Sequence, residues 1–203
     1  EIFVSSMSAA VRSGDFERQT MILQVANRSL DGFPDRKGWA QLIKTLVRDK
    51  TARPGAIAKE HSLIVKMAIS SLQTVLPDDV KFALCAAAVE TNPTEADRSM
   101  LMAALRDFVV SSPLKLKPFE SFNSLLNAEA LNAKGQYAQA LLQNLVAYER
   151  CRGASPTISA YANSRLTQAV ERTDASFRQN PNRVTELDAL MKAILAADLP
   201  LPT

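Results

Sequence analysis

Histidine, cysteine, glycine and aromatic residues are all scarce in this chain, and each scarcity removes a class of function. A single histidine, His61, among 203 residues leaves no His-rich metal site and no histidine pair for proton relay. Two cysteines, Cys85 and Cys151, build no disulfide framework. Cys85 falls in the apolar run Phe82 to Val89, where a free thiol packs as a small hydrophobe. No two of the six glycines lie closer than six residues apart, so no phosphate-cradling loop is encoded. The longest apolar run is about eight residues, against the ~20 that span a bilayer. Alternating runs of β-branched residues are missing as well, which leaves strands without a signal.

What is present favours helices. Apolar residues make up 47% and charged residues 22%, the balance of a chain that folds around a core. Ala, Leu, Gln, Arg and Met are common, and they lose little rotamer freedom in a helix. The net charge is +3 and is spread along the chain, whereas nucleic-acid binders concentrate theirs. One local exception runs from Arg28 to Lys59, with eight basic residues against three acidic ones. The chain begins at Glu1 rather than Met, which reads as a trimmed or processed chain whose targeting segments lie out of view.

Proline and glycine punctuate the helices. Asn92-Pro93-Thr94-Glu95, Ser155-Pro156 and Asn180-Pro181 each set a capping residue before a proline at the first helical position, where its missing N–H costs nothing. Pro34-Asp35, Pro77-Asp78 and Pro118-Phe119 read as further starts, and Gly14, Gly135 and Gly153 as left-handed stops. The pattern predicts an all-α fold of about ten helices, at roughly 5–13, 15–30, 35–50, 56–76, 78–91, 93–111, 118–133, 136–152, 156–173 and 181–197. These form antiparallel hairpins, as a helical bundle or an irregular array. The fourth helix is apolar around most of its circumference and is expected at the centre of its neighbours. Between Ser111 and Pro118, two prolines bracket alternating apolar and basic residues. The segment reads as a linker between an N-terminal bundle, 1–112, and a C-terminal subdomain, 118–203, with an extended edge for a partner strand as the alternative.

Residues Ala128 to Arg152 form the most informative stretch. Small Ala128 and Ala140 let two helices sit close, Gly135 permits a tight turn, and Tyr137 wedges between the helices. With Ala147, these residues resemble one tetratricopeptide-type hairpin over Ser121 to Arg152. A weaker relative near the start keeps Gly14, Phe16 and Ala26 but has Gln19 where a small residue is expected. Ser124 stands where the family has a bulky residue and Arg152 where it has a closing proline. No tandem copy follows at the period of about 34 residues. The resemblance implies protein or peptide binding in a groove lined by the first helix, which here presents Phe122, Leu125, Glu129 and Asn132.

Chemistry-bearing constellations are sparse. His61 lines up with Ile57, Ile64 and Ala68 and reads as a core or rim residue. Asp78-Asp79 follows Pro77 as helix N-terminal charge, and Glu90, Glu95 and Asp97 cluster at a helix junction for the same reason. The six methionines read as core filler. No cofactor is implied. The expected role is a non-enzymatic interaction module: an adaptor, a regulator or the helical domain of a secreted effector, with the Ala- and Arg-rich style pointing to a bacterial source. A competing class binds an anionic surface, nucleic acid or membrane, through Arg36, Lys37, Lys44 and Arg48. An enzyme built on carboxylates and arginines is the third class.

Overall fold

The computed structural model of the chain describes residues 2–28, 54–74, 76–111, 117–180 and 184–196. The described residues form helices and no strand, so the fold is all-α. In chain order the helices are α1 (Ile2–Ser13), α2 (Phe16–Arg28), α3 (Pro54–Leu72), α4 (Asp78–Glu90), α5 (Glu95–Ser111), α6 (Lys117–Ala133), α7 (Tyr137–Cys151), α8 (Pro156–Gln179) and α9 (Val184–Ala196). They group into two compact units, Glu1–Ser111 and Ser112–Thr203. The helix expected at 35–50, with the basic residues on it, lies outside the described residues.

In the first unit, Gly14 ends α1 in the left-handed region at φ +66°. That turn lets the Asp15 N–H reach the Ala10 carbonyl at 3.0 Å, the closing bond of a Schellman motif. The Asp15 carboxylate then accepts from the Arg18 N–H at 3.1 Å and caps α2. Gln19, out of place for the resembled family, is fully buried. Its amide donates to the same Ala10 carbonyl at 3.1 Å, so the extra polar bulk is satisfied.

Helix α3 packs against α2, α4 and α5, as its apolar circumference requires. Ile64, Val65, Met67 and Ala68 are completely buried. On α4 the run Leu84 to Val89 is buried residue after residue, because small side chains let neighbours close on several sides. Lys81 enters the same interior with its ammonium 4.9 Å from the centre of the Phe108 ring on α5.

The junction between α4 and α5 corrects one expectation. Asn92 does not cap α5; at φ +50° it is the left-handed residue that terminates α4. Thr94 is the cap. Its hydroxyl accepts from the Asp97 N–H at 3.2 Å, the N-cap bond, and donates to the Asp97 carboxylate at 3.1 Å.

In the second unit, α6 and α7 form the hairpin centred on Gly135, at φ +70°. The Gln136 N–H bonds the Leu131 carbonyl at 2.9 Å and the Gly135 N–H bonds Asn132 at 3.0 Å, the two bonds of a Schellman motif. Ala128, Ala140 and Ala147 are buried, which sets the two helices close together. Helix α8 packs along α7, and α9 rests on α7.

Helix α8 runs to Gln179, well past the expected end at 173. Thr173, where the helix was expected to end, is buried. Its hydroxyl bonds the Ala169 carbonyl at 2.7 Å and reaches the Tyr137 carbonyl at 3.2 Å, so its polarity is consumed inside the unit. Asn180 is the C-cap of α8. The methionines divide: Met7 and Met67 are core, whereas Met21, Met100 and Met191 are exposed.

Candidate functional site

Of the two expected surfaces, the one on α6 falls among the described residues. Phe122 and Leu125 are buried core, with Phe122 meeting Phe119 edge-to-face at 6.1 Å between ring centres. Glu129 pairs with Arg165 of α8, and both side chains are nearly buried, at 12% and 7% exposure. Asn132 is half-buried beside the Gly135 turn. Phe122 and Leu125 therefore do not line an open groove, and Glu129 is engaged with Arg165, which leaves Asn132 as the one of the four outside these contacts. Arg36, Lys37, Lys44 and Arg48 lie outside the described residues.

The nearest approach to a catalytic set is in the first unit, where Ser62, next to His61 in the chain, meets Asp97. Ser62 donates to Asp97 at 3.4 Å across α3 and α5. Successive residues on a helix point about 100° apart, so His61 does not serve Ser62 as a base. Burial lowers the His61 pKa, partly opposed by a hydrogen bond to the backbone of Thr91. The second Asp97 oxygen is held by Thr94. This arrangement is a helix cap tied to its neighbour, and its polar groups are engaged with one another.

The thiols are equally quiet. Cys85 is completely buried, and desolvation drives its pKa strongly upward despite the charge of Lys81. Cys151 borders a recess of about 380 Å³ with Tyr148, Gly153, Ser159 and Asn163, but burial raises its pKa too. The Ser121 hydroxyl 3.5 Å away opposes that shift only in part. A thiol held protonated is a poor nucleophile and a poor metal ligand. Among the described residues, no group of three or more His, Cys, Asp or Glu could hold a metal ion. No helix among them is long and apolar enough to cross a membrane.

Among the described residues, a cleft in the second unit has the form of a binding site. It is about 440 Å³ in volume and opens between the first turn of α7 and helix α9. Ala138, Leu142, Ala189, Leu190 and Ala193 give it an apolar lining of small and medium side chains. Lys134, Gln136, Gln139 and Glu186 supply a polar rim of mixed charge. Behind the lining lies a cluster of Leu141, Leu145, Leu166 and Ala169, so a rigid wall backs the cleft. The volume is that of ordinary ligand sites, and the apolar floor with a polar rim is the anatomy of an interface.

Sequence reasoning found the hairpin turn but not this cleft. Its residues on α7 and α9 are some fifty positions apart along the chain, and no local pattern joins them. Comparison of the chain with protein-family models, with curated proteins and with solved structures finds no match.

Proposed function

We propose that this chain is a non-enzymatic protein-interaction module, an adaptor or regulator, that receives an apolar segment of a partner protein in the cleft between α7 and α9. The cleft carries this reading, being lined by Ala138, Leu142, Ala189, Leu190 and Ala193. Small residues on both walls leave room for inserted leucine- or methionine-sized side chains, and the burial of such anchors is the main source of interface affinity. The hairpin that resembles a tetratricopeptide unit then acts as the scaffold presenting the α7 wall. The engaged polar groups around Asp97 and the protonated thiols support a binding role over a catalytic one.

Affinity capture from source-cell lysate at low and high salt tests this, comparing the wild type with Ala189→Arg. Ala189 is exposed on α9 at the cleft, so arginine there fills the space and adds charge without disturbing the core. The expected result is a discrete protein retained by the wild type at high salt and lost with the variant. Equal retention by Ala189→Arg would move the interface off the cleft. Recovery of only nucleic acid or lipid, lost at high salt, would transfer the function to the basic stretch containing Arg36, Lys37, Lys44 and Arg48.

A further inference from the structure

We draw no further inference here: the strongest candidate, the recess of about 380 Å³ between the end of α7 and the start of α8, is marked only by the lone thiol of Cys151, and among the described residues nothing beside that thiol points to a ligand.

Discussion

Substituting Glu129→Gln probes the ion pair that binds α6 to α8. The change keeps the side-chain shape and removes one charge, taking the Glu129 carboxylate away from the Arg165 guanidinium, which is at 7% exposure. Breaking a buried pair from one side costs about 3–5 kcal/mol, because the remaining ion stays desolvated. Glu129 keeps 12% of its side chain exposed, so the lower end of that range applies, about 3 kcal/mol. With a urea dependence of about 1.5 kcal/mol per molar, the unfolding midpoint of the second unit should fall by roughly 2 M. All three tyrosines, Tyr137, Tyr148 and Tyr161, lie in that unit and the one tryptophan, Trp39, in the other, so near-ultraviolet tyrosine dichroism in a Trp39→Phe background follows it. The double variant Glu129→Leu with Arg165→Met should return to within about 1 kcal/mol of wild type, since it leaves no charge to desolvate. A loss below about 1 kcal/mol for Glu129→Gln alone, the value of a surface pair, would refute the reasoning.

Gly135→Ala should destabilise the same unit by about 1 kcal/mol in the same assay. A Cβ there meets no atom within 4 Å, so the whole cost comes from holding φ at +70°. At the α4–α5 junction the signs divide: Thr94→Ala should cost about 1 kcal/mol through the lost cap, whereas Asn92→Gly should be neutral or stabilising at its left-handed φ. A thiol reagent should leave Cys85 and Cys151 unmodified in the native protein and label both after unfolding in denaturant; fast native labelling would contradict their burial. Burial lowers the His61 pKa, so the folded state favours neutral imidazole and the unfolded chain takes the proton first. The resulting stability is present above about pH 6.5 and is lost as pH falls through the lowered folded value, and His61→Gln should flatten that decline relative to wild type.

The helices were legible because their signals are local. Proline fixes where a helix can begin, and glycine marks where a left-handed residue ends one. Gly14, Gly135 and Gly153 all adopt positive φ as read. The errors came where a polar residue has two uses. Asn92 caps forward or terminates backward, and only the positions of Thr94 and Asp97 decide between them. Thr173 ends a helix or binds a neighbour, and the Tyr137 carbonyl that decides lies 36 residues away. The candidate site failed for the same reason. Placing Phe122, Leu125, Glu129 and Asn132 on one exposed face needs the hairpin to stand alone, and Arg165 was invisible to that reasoning. The cleft depends on α9 returning to the start of α7, a long-range choice that no short motif records.

The Glu129–Arg165 pair also limits how this chain can be divided. A true repeat array can be cut between hairpins, because each repeat presents its neighbour with an apolar face. Here the first helix of the hairpin carries a carboxylate whose partner lies beyond the hairpin altogether. A fragment ending after α7 would strand that carboxylate. Any piece of the second unit that keeps α6 must therefore also keep α8, because shortening or grafting the hairpin alone leaves the Glu129 carboxylate without Arg165.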